Sequence, residues 1–416
     1  LLILFQLIPI VALAFYVAWN LGANDVANAM GTSVGSKAIT LKQALIVAGI
    51  LEFTGAVIFG RGVSATLATE VANPELFANQ PQLLVLGMVS VLLAGGLWLQ
   101  IATSRGLPVS SSHAVVGAIA GFSWVAIGQS AIDWHNIGLI SLAWLVTPVI
   151  SGAIAALFYN LLKIGILDRS DPLQRLQEWI PWLSSLLFAV FGVIVFPTLF
   201  QLTIWQSLPI PSRCLSLMTA SMAAIGLSAI AWQKLEQWQE HEDKNQTLER
   251  VLACFQVTSA CFVAFAHGSN DVGNAIAPLA AINYIINHHL VPLTGFTVPL
   301  WILILGGLGI VSGLAVQGKN VIATVGEGII SLQPSSGFSA EMATAITVLI
   351  ASSLGLPVST SHALIGGVVG IGLSKNLKQV RWQTLQSVVL AWVVTVPVAA
   401  LLGAITFMIL RSLQIG

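Results

Sequence analysis

Two aspartates in apolar surroundings carry the chemistry that this sequence offers. Gly22-Ala23-Asn24-Asp25-Val26-Ala27-Asn28-Ala29 returns 246 positions later as Gly268-Ser269-Asn270-Asp271-Val272-Gly273-Asn274-Ala275. Each copy is followed by a cluster of hydroxyls. Leu107-Pro108-Val109-Ser110-Ser111-Ser112-His113 returns as Leu356-Pro357-Val358-Ser359-Thr360-Ser361-His362. An ionisable side chain in hydrocarbon is costly and marks a functional site by default. Two such residues in matched contexts suggest a site built between two halves.

The Asn-Asp phrase suits a cation. Asn24 and Asn28 are four apart, as are Asn270 and Asn274, so each pair shares a helix face with the aspartate beside it. Gly22 and Gly268 permit either local unwinding or close packing. Carboxylates, amide carbonyls and freed backbone carbonyls make an all-oxygen set, which favours a hard cation. The Pro-Ser phrase suits an anion. Pro favours a helix start and Ser or Thr a helix cap, and Gly106 and Gly355 precede as a turn requires. The flanking passes are short enough for a re-entrant hairpin. Its tip would present backbone N–H groups, hydroxyls and the positive end of a helix dipole. A single Pro-Ser cluster would read as a helix kink with hydroxyls bonded to the preceding turn. The doubling, with His113 and His362 closing each copy, points to a site. Each histidine either bonds the tip backbone or touches the cargo. A cation beside an anion in low dielectric supports the binding of both, which is the physical basis of symport.

Two more carboxylates, Glu52 and Glu341, lie in apolar passes as buried neutral groups, a second cation site or proton-coupling groups. Arg61 and Lys319 are expected to snorkel from pass ends. Arg105 lies near the first tip, where it could draw in anions, but the second copy has Leu354 there.

The elements that must position these residues are membrane helices. The 416 residues are 56% hydrophobic and 8% charged, against roughly 25% charged in soluble domains. The apolar runs are continuous rather than alternating, which argues against a barrel. Passes are expected near 1–36, 42–64, 83–103, 108–127 and 137–162. A second set is expected near 250–279, 297–317, 341–354, 357–374 and 384–411, with two linking segments near 182–206 and 213–233. The expected fold is an all-α polytopic membrane protein of about 12 passes. Its units are a first repeat over 1–165, linking helices and a charged linker over 166–249, and a second repeat over 250–416. Residues 168–178 read as an interfacial helix or loop, and 234–250 as a solvated connector.

Loop charges set the orientation. Lys37 and Lys42 follow the first Asn-Asp phrase, whereas 280–297 has neither Lys nor Arg. After the second phrase the bias reverses, with none in 127–137 but Lys375, Lys378 and Arg381 in the counterpart. Cytoplasmic loops are enriched in Lys and Arg, so the repeats are expected to be inverted, with both termini outside.

Other classes fit poorly. Net charge is zero and no basic patch with interleaved aromatics occurs, so nucleic acid is not an expected partner. Cys214, Cys254 and Cys261 form neither a disulfide framework nor a metal cluster. Residues 1–19 lack a basic leader segment and run into the first motif, so they read as a membrane segment rather than a signal peptide. Tryptophans such as Trp134, Trp179, Trp182 and Trp382 read as an interfacial belt. A Ser-His-Asp hydrolase would need one nucleophile with distinct partners, whereas here the set is duplicated.

On these residues the chain resembles the PiT family of inorganic phosphate transporters. The matching stretches are GANDVANAMG at 22–31, LEFTGAVIFG at 51–60, LPVSSSH at 107–113, FAHGSNDVGNAIAP at 265–278, PSSGFSAE at 334–341 and GLPVSTSH at 355–362. The resemblance spans most of both repeats and fades over 165–245, where animal members carry a long insertion and this chain a short, prokaryotic-type linker. It implies a symporter in a cell membrane, bacterial inner or plasma membrane, that moves phosphate with Na+ or H+ and is not an enzyme. It implies phosphate contacts at Ser110, Ser111, Ser112, Ser359, Thr360 and Ser361, with Asn24 and Asn270 beside them. Cation contacts fall to Asp25, Asn28, Asp271 and Asn274, with Glu52 and Glu341 as further Na+ candidates and His113 and His362 in support. No resident cofactor is expected, the partners are phosphate, Na+ and the lipid bilayer, and a homodimer is compatible. The alternatives are a sulfate symporter of the same fold, since some bacterial relatives move sulfate, and a passive anion channel. Phosphate carries a proton that a carboxylate can accept in a hydrogen bond and sulfate does not, so a donor-reading site would separate them.

Overall fold

Helices α1 (Leu2–Gly35) and α10 (Lys244–His288) carry the two Asn-Asp phrases and run side by side through the centre. The structure, a computed structural model, describes residues 2–105, 109–201, 210–240, 243–293, 296–325, 332–375 and 381–415, with side chains left aside at 2–6, 319–321, 323–325, 384 and 414–415. The remaining helices are α2 (Leu41–Phe59), α3 (Arg61–Thr69), α4 (Pro81–Ser104), α5 (Ser111–Ala126), α6 (Trp134–Leu162), α7 (Pro172–Ile194), α8 (Phe196–Leu199) and α9 (Ser212–Gln239). They continue as α11 (Leu300–Val325), α12 (Pro334–Ser353), α13 (Thr360–Lys375) and α14 (Trp382–Ile415). Among the described residues, extended pairing is limited to one isolated bridge, Ala72 with Ile132. Nine helices of the described residues are long and apolar enough to cross a membrane.

The two halves interlock. Helix α1 packs on α11 of the other half, and α10 packs on α2. These crossings explain Gly22 and Gly268. A Cβ on Gly22 would run into the backbone carbonyl of Ile310, and one on Gly268 into that of Glu52. The motif helices are not unwound there: 21–30 and 268–275 are continuous α-helix. The glycines serve close packing, so backbone carbonyls freed at the motif are absent from the described structure. Likewise α5 packs on α14, and α13 on α6.

Several boundaries differ from the expectation. Residues 172–178 are the opening turns of α7 rather than a separate segment, with exposed Arg175 and Glu178 paired at 2.7 Å. The connector over 234–250 is mostly helix, because α9 and α10 extend into it and bury Leu235, Thr247 and Leu248. Glu249 there is half-buried and accepts from the Ser335 N–H and hydroxyl at 2.8 Å each, tying α10 to the start of α12. Helix α12 starts at Pro334, seven residues before the expected pass at 341. Helix α4 has 24 residues, about 36 Å, so it is not short, whereas α5 and α13 have 16 residues each. Of the tryptophans named for the belt, Trp134, Trp182 and Trp382 are exposed and Trp179 is half-buried, whereas Trp144 and Trp392, not among them, are buried.

Candidate functional site

The hydroxyl clusters open helices. Ser110 caps α5, its Oγ accepting from the His113 N–H at 3.3 Å, and Ser359 does the same for His362 at 3.3 Å. The expected turn at Gly106–Pro108 lies outside the described residues. In the second copy the turn is visible, and Gly355 takes φ +70°, a left-handed conformation that glycine adopts without strain. Both tips reach the aspartates of their own half. The Ser111 hydroxyl donates to Asp25 at 3.2 Å, and the Thr360 hydroxyl to Asp271 at 2.7 Å.

The asparagines join the halves. Asn28 donates to Ser361 at 2.7 Å, and Asn274 donates to Ser111 at 3.0 Å and Ser112 at 3.1 Å. Ser112 also donates to the Val358 carbonyl at 3.0 Å. The carboxylates meet: ligand atoms of Asp25, Asp271 and His267 lie within 4.8 Å of one another. All of these side chains are buried, Asp25 to 2% exposure and Asp271 to 1%. The Asn274 Oδ1 is buried without a hydrogen-bond partner among the described residues, leaving a carbonyl oxygen beside Asp271. Two carboxylates and an amide oxygen could hold a small hard cation, and hydroxyls at two helix starts could hold an anion.

Asn24 and Asn270 face elsewhere. Asn24 donates to Thr103 at 2.8 Å, and Asn270 donates to Ser352 and the Leu356 carbonyl at 3.1 Å each. Asn270 also accepts from the Val358 N–H at 3.3 Å. These amides hold the preceding arm of each hairpin. His113 and His362 pack on each other and on tryptophans, with ring centroids 4.7 Å apart. Arg105 ends α4 and is exposed, and Arg61 opens α3 at an exposed position. The Lys319 side chain lies outside the described residues.

The glutamates occupy different environments. Glu341 accepts from Thr32 and Ser33 at 2.6 Å each, from Gln256 at 3.1 Å and from Ser259 at 2.7 Å. Glu52 faces His267, whose Nδ1 lies 3.2 Å from Glu52 Oε1 and whose Nε2 lies 2.9 Å from Asp271 Oδ2. His267 stands four residues before Asp271, on the same helix face. It was the signal for this triad that sequence reasoning passed over, because the first copy has Leu21 there.

Comparisons agree with this architecture. The description of a "Phosphate transporter family" matches residues 21–403. Proteins of Haemophilus influenzae and Thermococcus kodakarensis, each described as a "putative phosphate permease", are 40% and 38% identical to the chain. The first alignment covers 96% of this chain and 95% of the relative, the second 96% of both. A solved structure titled "The sodium-dependent phosphate transporter" superposes with a TM-score of 0.89 at 36% identity, covering 97% of this chain and 98% of the other.

Proposed function

We propose, since this chain belongs to the phosphate transporter family, that it is a symporter carrying inorganic phosphate across a cell membrane together with Na+. The observation that supports this most is the crossed bonding at the centre, where each half's asparagine holds the other half's tip and each half's aspartate holds its own. Such a centre presents donors for an anion and carboxylates for a cation at one place.

The hydrogen bonds support a route to coupling. The Ser111 and Thr360 hydroxyls spend their protons on Asp25 and Asp271. A Na+ taking those carboxylate oxygens frees both protons to turn toward phosphate. The anion then adds its own negative charge beside the cation, in a low dielectric where that attraction is strong. Ser112 and Ser361 contribute further hydroxyls, and the opening turns of α5 and α13 contribute N–H groups that no helix carbonyl can reach. Glu341 gathers oxygens of α1, α10 and α12 and is a second place for Na+. The two halves are inverted repeats with re-entrant tips, and they rock about this centre to expose it to one side at a time. Both termini face outward and the 234–250 connector faces the cytoplasm.

A second reading is carried by the Glu52–His267–Asp271 line. An imidazole between two buried carboxylates can take and return a proton, so H+ could replace one Na+. Proteoliposomes given labelled phosphate or labelled sulfate, each under an imposed Na+ or pH gradient, decide among these. Phosphate accumulated on a Na+ gradient supports the proposal. Uptake that only equilibrates points to a channel, and sulfate uptake without phosphate uptake sinks the cargo assignment.

A further inference from the structure

Two tryptophans are buried against the histidines that open α5 and α13. Trp144 on α6 and Trp392 on α14 are 7% and 9% exposed and hold matched places in the two halves. Between them lie His113 and His362, in the first turns of α5 and α13. The four rings form one line. Centroids are 3.9 Å apart from Trp144 to His113, 4.7 Å from His113 to His362 and 3.6 Å from His362 to Trp392. The His113 Nδ1 lies 3.3 Å from the Trp392 carbonyl oxygen, which only accepts, so that nitrogen carries the proton.

The line crosses between the halves and is tied to a tip. The Trp144 indole N–H donates to the Pro357 carbonyl at 3.1 Å. The next carbonyl, that of Val358, accepts from Ser112. Two consecutive carbonyls just before Ser359, Thr360 and Ser361 are therefore held by groups of the first half. Trp392 stacks on its histidine, but its indole nitrogen has no hydrogen-bond partner among the described residues.

We infer that Trp144 is a positioning residue for the phosphate site: through Pro357 it sets where the second tip presents Thr360 and Ser361 relative to Ser111 and Ser112. It touches no cargo itself. The inference rests on the reading of the tips as anion donors.

Trp144→Phe and Trp392→Phe keep an aromatic face for the histidines and remove the indole N–H. In proteoliposomes driven by a Na+ gradient, Trp144→Phe raises the KM for phosphate about two- to tenfold, the range that one hydrogen bond commands. Its maximal rate and half-saturating Na+ stay within about twofold of wild type, as positioning through a single hydrogen bond requires. Trp392→Phe leaves all three within the same margin, because it removes no hydrogen bond made among the described residues. A merely structural role would lower the maximal rate through lost protein and leave KM alone. An unchanged KM in Trp144→Phe, or an equal rise in Trp392→Phe, overturns the inference. If Trp144→Phe transports too slowly to time, the rise in thermal midpoint of the purified protein on adding phosphate replaces KM. A smaller rise than wild type supports the inference and an equal rise overturns it. Wild-type liposomes that take up no phosphate overturn the tip reading and this inference together, whereas wild-type uptake with an unchanged Trp144→Phe KM overturns this inference alone.

Discussion

The Asn28 amide donates to the Ser361 hydroxyl at 2.7 Å, joining the first half's central helix to the second half's tip. Its counterpart, Asn274 to Ser112, is 3.1 Å long. Neither bond could form within one half. The hydroxyls of each tip are therefore aimed by the Asn-Asp helix of the opposite half, and under the proposed function the anion and cation sites share one scaffold.

That sharing predicts non-additive mutations. Asn28→Ala and Ser361→Ala should each weaken phosphate affinity, and the double variant should lose less than the sum, with a coupling of about 0.5–3 kcal/mol. KM values for phosphate at saturating Na+ provide the cycle. Strict additivity would mean that the bond does not aim Ser361 in the working protein.

The aspartates should act first on the cation. Asp25→Asn and Asp271→Asn replace the carboxylates met by Ser111 and Thr360 with amides that cannot match their charge. Na+ activation should shift to higher concentration in both, by more than the KM for phosphate at saturating Na+. Ser111→Ala and Thr360→Ala should show the reverse, with phosphate KM raised and Na+ activation little moved. Unchanged Na+ curves in both aspartate variants would count against these residues as cation ligands.

The doubling of motifs made much of this centre legible. Asp25 with Asp271 and Ser111 with Thr360 could be paired by eye, because each has a twin in matched context. What lacked a twin was passed over. His267 aligns with Leu21, so the doubling argument was blind to it, although its spacing to Asp271 was visible. The donors to Glu341 come from two helices, α1 and α10, that are distant in sequence from each other and from α12, and no periodicity reports such a meeting. The 234–250 stretch misled for a simpler reason. Its charges read as a solvated connector, yet one helical face there is buried.

The crossings of α1 with α11 and of α10 with α2 should tolerate nothing larger than glycine. At Gly22 and Gly268 an added methyl meets backbone, which cannot rotate away as a side chain could. Overpacking of this kind costs about 1–3 kcal/mol or more. Gly22→Ala and Gly268→Ala should each lower the thermal midpoint of the purified protein. Gly138→Ala, where a Cβ meets nothing within 4 Å, should leave it in place. Equal midpoints for all three would mean that the crossings are looser than described.

His267 offers the sharpest separation of stability from coupling. Its two nitrogens face carboxylate oxygens of Glu52 and Asp271, and all three side chains are buried. An imidazole that donates from both nitrogens satisfies both partners at once. His267→Gln removes the imidazole and leaves buried carboxylates facing a neutral amide, and breaking a buried pair costs about 3–5 kcal/mol. Adding Glu52→Gln removes one of the stranded charges, so the double variant should recover part of the lost thermal midpoint. Transport should not recover with it, since neither residue can then pass a proton or balance Asp271. A double variant less stable than His267→Gln would show that Glu52 is held by something other than the imidazole. A double variant with wild-type response to imposed pH gradients would remove the triad from coupling and leave it a structural ion network.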